Sequence, residues 1–321
     1  MTFTRGRITA LIVLICLGLL LQLPVWQQIA RTPAYFGTVS SNAELLQSLN
    51  KIESYTAVST IRLPLIYAGA YLLLDESTNE TLISKNPDQP IPVASTTKMM
   101  SAMVAIKELG LTKVVTVSKE PPRVEGSKIG LTAGEQITVL DLLKGMLIYS
   151  GNDAAYALAE AYSGTPGLIA PFVEKMNEYA ARYNLAQTHF QDPAGLNDDG
   201  RSTPFELSQL AKLVLSDSTL AEIVATPQTT VSSVDGSQLH ELKSSNRLIL
   251  PESPYYFGEA TGVKTGFTFA AGHCLVASYK HGDRTLIGVV MNTVESTVTA
   301  SASEMNKLFT WARSNVQIKT Y

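Results

Sequence analysis

The 321-residue sequence predicts an α/β fold of two lobes, with one antiparallel sheet assembled from both chain ends, flanked by helices, and a mainly helical lobe inserted between them. Three observations lead there. Short apolar runs separated by polar or glycine-containing turns lie near both ends of the main domain, whereas the middle carries apolar residues at helical spacing. A content of 45% hydrophobic and 17% charged residues suffices to bury a large core, as one sizeable domain or two coupled lobes. No fixed-period repeat or low-complexity run is visible, which excludes solenoids and propellers.

The N-terminal stretch from Ile8 to Trp26 carries no charge. As a helix it is long enough to cross a hydrocarbon layer of ~30 Å. Arg5 and Arg7 precede it, so the positive-inside tendency keeps the N-terminus in the cytoplasm and sends the rest outside. A cleaved signal peptide is the alternative, with secretion as its outcome. Its apolar region is usually only about 7–15 residues and ends in a small-x-small site, which Gln27 to Ala30 lacks. The expected organisation is a signal-anchor over residues 1–28, a stalk or lead-in over 29–64, and an extracytoplasmic domain over 65–321. Cys16 reads as an apolar residue of the anchor helix.

The domain opens on a predicted β-hairpin, Tyr67 to Asp75 and Thr81 to Ser84, around the polar turn Glu76 to Glu80. From Ser95 to Leu109, Met99, Met103 and Ile106 recur at three-to-four-residue spacing and Gly110 ends the run, predicting a buried helix that begins at Ser95. Thr138, with Asp141 three residues on, caps a helix whose apolar face is Leu140, Leu143 and Leu147. Further helices are expected near Asp153 to Tyr162, Gly167 to Tyr183 and Pro204 to Leu215. The pattern then returns to strands at Gly262 to Phe267, His273 to Ser278 and Thr285 to Met291, closing with a helix from Thr297 to Ala312. A cleft between sheet and helical lobe is the natural place for a site.

Composition narrows the chemistry. A net charge of −3 without clustered Lys and Arg argues against nucleic acid as a partner. Cys274 is the only cysteine in the exported part, so no intramolecular disulfide is expected, and its apolar flanks mark it as a core thiol. His189, His240, His273 and His281 show no metal-ligand spacing; they are expected to be structural, and neither metal nor cofactor is predicted.

Three short motifs stand in order: Ser95-Thr96-Thr97-Lys98, Ser150-Gly151-Asn152 and Lys264-Thr265-Gly266. Each alone is weak, since Ser48 to Lys51 also fits S-x-x-K, and Ser40, Ser48, Ser77 and Ser244 each begin another S-x-N. Placement chooses among them. Ser48 lies in the stalk, whereas Ser95 opens an apolar helix, and a nucleophile needs a rigid mount. The i, i+3 spacing brings the Lys98 amine within reach of the Ser95 hydroxyl without a histidine, so Ser95 reads as nucleophile and Lys98 as general base. To act as a base Lys98 must be neutral, and burial together with a second cation such as Lys264 would lower its pKa.

Ser150 and Asn152 lie between two helical stretches; ordinary helix capping would explain them in isolation. Beside the other motifs, Ser150 can pass a proton to a leaving amine, and Asn152 can orient Lys98 and a substrate carbonyl. Lys264, Thr265 and Gly266 fall on a strand, where glycine often marks close approach of a ligand or backbone. A substrate laid along this strand can bind main chain while Lys264 supplies electrostatic help and, with Thr265, holds a terminal carboxylate. The backbone N–H groups of Ser95 and Phe267 are the candidate oxyanion hole.

This motif set resembles that of penicillin-binding proteins and β-lactamases. Val93 to Met100, Leu147 to Ala155 and Gly262 to Thr268 look like the low-molecular-mass D-alanyl-D-alanine carboxypeptidases, and His189 to Leu196 and Ala271 to Ser278 extend the similarity over about Tyr67 to Phe309. The resemblance implies the two-lobed DD-peptidase/β-lactamase fold and attack on the D-Ala-D-Ala end of peptidoglycan stem peptides. It also implies a Ser95 acyl-enzyme and slow covalent inhibition by β-lactams. Two departures are expected: no C-terminal β domain after the catalytic one, and Gly151 where relatives often carry alanine, which would loosen the loop. The alternatives are a DD-endopeptidase cutting crosslinks, a β-lactamase, for which no deacylating acid can be assigned, and a non-enzymatic penicillin-recognising sensor or wall-binding protein.

Overall fold

A computed structural model describes residues 62–316; the predicted anchor, Cys16, Ser48 and nearly all of the stalk lie outside the described residues. Among the described residues no helix is long and apolar enough to cross a membrane. In chain order the elements are β1 (Ala68–Asp75), β2 (Thr81–Lys85), β3 (Ile91–Pro92), a 3-10 turn (Ala94–Thr97), α1 (Lys98–Glu108), β4 (Val114–Thr116), β5 (Gln136–Thr138), α2 (Val139–Ile148) and α3 (Asn152–Ser163). They continue with α4 (Ala170–Arg182), β6 (Arg201–Ser202), α5 (Pro204–Ser216), α6 (Ser218–Ala225), β7 (Gln228–Ser232), β8 (Leu239–Lys243), β9 (Ala260–Thr268), β10 (Gly272–His281), β11 (Arg284–Thr293) and α7 (Ala300–Asn315).

Both chain ends build the main sheet, as the strand pattern predicts. Its order is β2-β1-β11-β10-β9, every neighbouring pair antiparallel, so β1 from the start of the domain lies beside β11 from its end. Alternation along the strands separates two cores. On one face Leu275, Ala277, Tyr279 and Val290 pack under Met305, Leu308 and Phe309 of α7. On the other, Leu72, Leu74, Cys274, Val276 and Val289 join the core of the helical lobe, which holds α1 through Met99, Met100 and Met103. β9 is an edge strand, and its free side faces that lobe.

The capping signals act as expected at α2, where the Thr138 hydroxyl accepts from the Asp141 amide at 3.1 Å. Thr203 does the same for the Glu206 amide at the start of α5, at 3.1 Å. Helix α6 and the two-stranded ribbons β4–β5 and β7–β8 go unpredicted: each is short and half exposed, so its periodicity spans too few residues to register.

Candidate active site

The site starts with a correction at its nucleophile. Ser95 does not lie in the first turn of an α-helix; it lies in the 3-10 turn that precedes α1. Residues i and i+3 eclipse in a 3-10 turn, so the pairing survives and tightens: Lys98 Nζ is 2.8 Å from Ser95 Oγ. Two glycines let other segments press on this turn. A Cβ at Gly266 would sit 3.0 Å from the Ser95 backbone nitrogen, and one at Gly195 would overlap the Ala94 carbonyl.

Lys98 is fully buried. Its Nζ meets three atoms: Ser95 Oγ at 2.8 Å, Asn152 Oδ1 at 2.7 Å and the Ala194 carbonyl at 2.8 Å. Two of these, the amide oxygen and the carbonyl, can only accept. A neutral amine has two N–H groups and one lone pair, so satisfying both acceptors leaves the lone pair for the Ser95 O–H. Burial lowers the Lys98 ammonium from its ordinary 10.5 to about 7, against the upward pull of the Asp192 and then the Asp153 carboxylates. Burial is also the main cause at Lys264, which it lowers well below its ordinary range, and repulsion between Lys98 and Lys264 adds to that, each cation disfavouring the charged form of the other.

Asn152 is the first residue of α3, and its orientation is set from a segment sequence reasoning missed. Its Nδ2 donates to the Glu125 carbonyl at 2.6 Å, which fixes Oδ1 toward Lys98. The Asn152 amide donates to the Ser127 carbonyl at 2.7 Å. Asp153 is no cap here: its carboxylate accepts the amides of Ile129, Gly130 and Leu131 at 3.0, 3.0 and 3.1 Å, clamping that loop. Gly151 leaves no slack, contrary to expectation. Its amide donates to the Gly145 carbonyl at 3.0 Å, and a Cβ would lie 2.9 Å from both Ile129 Cγ2 and Asp153 Oδ1.

Lys264, fully buried on β9, donates to Ser150 Oγ and to the Thr265 carbonyl, both at 2.8 Å. The structure thus links all three motifs: Lys98 to Ser95 and Asn152, Lys264 to Ser150. Ser95, Ser150, Asn152, Thr265, Gly266 and Phe267 line one cleft of about 430 Å³, with both lysines behind its wall. Thr265 Oγ1 is 2.6 Å from Ser245 Oγ, and Arg247 lines the cleft nearby.

Several contributors carried little or no signal in the sequence. Ser245 sits inside a chance-level S-x-N match, and Arg247 stands in no motif. Asp192, within the quoted His189 to Leu196 stretch, holds the amides of Ala194, Gly195 and Asn197 at 2.7 Å each and so aims the Ala194 carbonyl at Lys98. The histidine reading needs one amendment: His273 is not only structural, since it stacks on the Phe267 ring at 4.3 Å and lines the cleft. Cys274 is a core thiol as predicted, and burial pushes it up to about 11.

Comparison with known proteins places this geometry. The family model described as D-alanyl-D-alanine carboxypeptidase, peptidase S11, matches residues 57–295. The D-alanyl-D-alanine carboxypeptidase DacF of Bacillus subtilis is 32% identical, with 78% of this chain covering 63% of that protein. DacC of Escherichia coli is 33% identical, with 80% of this chain covering 64% of it. The chain thus spans less than two thirds of those two relatives, but 90% of the D-alanyl-D-alanine carboxypeptidase of Streptomyces strain K15, at 32% identity over 80% of this chain. Among solved structures, the Streptomyces K15 DD-transpeptidase superposes with TM-score 0.72 at 31% identity, over 79% of this chain and 100% of that one. A D-alanyl-D-alanine carboxypeptidase from Mycobacterium tuberculosis gives TM-score 0.72 at 28% identity, over 82% of this chain and 97% of that one. On this match, and with the fold and three linked motifs in place, the chain belongs to the D-alanyl-D-alanine carboxypeptidase family, peptidase S11.

Proposed function

We propose that the protein is a serine D-Ala-D-Ala carboxypeptidase that removes the terminal D-alanine from peptidoglycan stem pentapeptides through a Ser95 acyl-enzyme. The observation that carries this reading is the Lys98 amine, buried and held by two obligate acceptors so that its lone pair faces the Ser95 hydroxyl. Lys98 takes the hydroxyl proton as Oγ attacks the carbonyl carbon of the penultimate D-alanine. The backbone N–H groups of Ser95 and Phe267 receive the oxyanion. As the tetrahedral intermediate collapses, the proton that Lys98 took from Ser95 is returned by way of Ser150 to the departing amine, while Lys264, which touches Ser150, holds that hydroxyl in place. Thr265 and Arg247 hold the terminal carboxylate, a pairing for which a guanidinium fork is well shaped. Lys98, neutral again, then takes a proton from the attacking water, and collapse of the second tetrahedral intermediate returns that proton to Ser95 Oγ and releases the shortened peptide.

β-Lactams would acylate Ser95 by the same steps, and the domain would work outside the cytoplasm, tethered by residues 8–26. The rival within the family is a DD-endopeptidase; a D-alanyl-D-alanine endopeptidase of Pseudomonas aeruginosa is 33% identical over 65% of this chain. One assay tests the reading: incubation with diacetyl-Lys-D-Ala-D-Ala and measurement of free D-alanine, with Ser95→Ala as control. Ser95-dependent release supports it. Equal release by Ser95→Ala sinks the mechanism, and cleavage of crosslinked dimers without any pentapeptide trimming sinks the carboxypeptidase assignment.

A further inference from the structure

His240 is a buried histidine that the mechanism does not use, yet both its ring nitrogens are committed. It lies on β8 and is 5% exposed. Its Nδ1 is 3.0 Å from the Ile129 carbonyl and its Nε2 is 2.7 Å from Glu135 Oε1. A carbonyl only accepts, so Nδ1 carries a proton, and the Nε2–Oε1 contact holds a second. The other Glu135 oxygen accepts the Thr132 amide at 3.0 Å, which fixes the carboxyl in turn. β8 is itself anchored to the cleft. Just past its end the Ser245 amide donates to the Ile148 carbonyl at 3.0 Å, and Ser245 Oγ is 2.6 Å from Thr265 Oγ1.

Ile129 passes this tie on to the catalytic loop. Its side chain bears on two glycines: a Cβ at Gly151 would lie 2.9 Å from Ile129 Cγ2, and one at Gly145 would lie 2.7 Å from Ile129 Cδ1. The same segment supplies the Ser127 and Glu125 carbonyls that hold the Asn152 amide and side chain. Ser150 stands at φ 73°, in the left-handed region, a conformation that persists only where its surroundings hold it. Asp153 does not meet that need alone. It follows Asn152 in the same helix, so its bonds to the amides of residues 129–131 join the loop to α3 without fixing either to β8 and β9. His240 supplies that external tie, from 111 residues along the chain.

We propose that His240, braced by Glu135, is a positioning residue for acylation: through Ile129 it holds Asn152, and with it the Lys98 amine, in place against Ser95. The inference rests on the roles given above to Ser95, Lys98 and Asn152 and is independent of which peptide is cut. Loss of the His240 bond releases the Ile129 carbonyl, and a displacement of about 1 Å at a catalytic group can cost on the order of 10²-fold in rate.

The test measures the second-order rate constant for acylation by a fluorescent penicillin, on the full chain and well below the melting point of each variant. His240→Phe should lower it by about 10-fold or more. In an Asn152→Ala background the same change should cost less than about 3-fold further, because its route ends at Asn152. Glu135→Gln should stay within about 3-fold of the unaltered protein, since a neutral imidazole still donates from Nδ1 to Ile129 while Nε2 accepts from the new amide. Ile129→Ala strands no buried charge, so it reports on the same route whether or not His240→Phe folds, and it should cost about 10-fold. A folded His240→Phe or an Ile129→Ala that acylates within about 3-fold of the unaltered protein overturns the inference and leaves the mechanism intact. So does an undiminished His240→Phe loss beside Asn152→Ala, or a Glu135→Gln loss equal to that of His240→Phe, either of which marks a role in the fold alone. Absence of Ser95-dependent acylation in the unaltered protein overturns the mechanism and the inference together.

Discussion

The strongest quantitative consequence of the site is the pH dependence of acylation. Burial sets Lys98 near 7, so about half of it is the neutral base at pH 7, compared with about 3 parts in 10,000 at the ordinary value of 10.5. Placement thus supplies on the order of 10³-fold more base at neutral pH than a solvated lysine would. Because the pKa is lowered, the working form lies above it, and activity is lost as pH falls through about 7. The second-order rate constant for acylation by a fluorescent penicillin should therefore rise about 10-fold between pH 6 and pH 8 and level off above. It is measured by quenching at timed intervals and counting label on Ser95. Lys98→Arg, a cation that stays charged throughout, should abolish the limb and cost ~10³-fold or more at pH 8. A rate flat across pH 6 to 8, one still climbing at pH 10, or an unaltered limb in Lys98→Arg would refute the assignment of Lys98 as base.

Four further outcomes follow from the geometry. Asn152→Ala removes the Oδ1 acceptor 2.7 Å from Lys98 and the tie to Glu125, and should lower kcat/KM by roughly 10²–10³-fold in the D-alanine assay. Arg247→Ala should raise KM for D-Ala-D-Ala peptides by about 10-fold or more with a smaller effect on kcat, because the terminal carboxylate is bound in ground and transition states alike. His240 Nε2 is 2.7 Å from Glu135 Oε1 and Nδ1 is 3.0 Å from the Ile129 carbonyl, both in the interior. His240→Phe strands that buried carboxylate at a cost of about 3 kcal/mol or more, a melting point lower by roughly 6–12 °C by calorimetry. Finally, the unfolded chain binds a proton on Lys98 above pH 7 that the native chain does not, and the lowering of Lys264 acts in the same direction, so thermal stability should rise from pH 7 to pH 9, with a shallower rise in Lys98→Met.

The fold was legible because its longest elements repeat their periods over many residues. The predicted end of the helix at Gly110 and the three closing strands lie within two or three residues of those found. All eight predicted site residues converge for a related reason: a chemical motif needs only local spacing, and its three parts meet wherever sheet and lobe meet. The rest of the site was hidden because it is built by backbone. Ala194 contributes a carbonyl, Glu125 and Ser127 contribute carbonyls, and any residue type offers one. Ser95 shows a second limit, since 3-10 and α-helical turns share the same i, i+3 side-chain pattern and sequence does not separate them.

Two carboxylates explain how the backbone contributions stay in place. Asp153 gathers the amides of residues 129–131 and so steadies the loop whose carbonyls orient Asn152. Asp192 gathers the amides of Ala194, Gly195 and Asn197 and so points the Ala194 carbonyl at Lys98. These same two groups pull the Lys98 pKa upward against burial. Positioning and tuning are therefore one device: the carboxylates that gather these backbone amides are the same groups that act on the Lys98 ammonium. Removing either would free a catalytic loop and at the same time deepen the depression of Lys98, so the acylation limb should move to lower pH as the rate falls. Asp192→Asn is the sharper case, because an amide keeps the size and one acceptor but not the charge. A lower acylation rate with its limb still centred near 7 would show that Asp192 only positions, whereas a limb displaced toward acid would show that it does both.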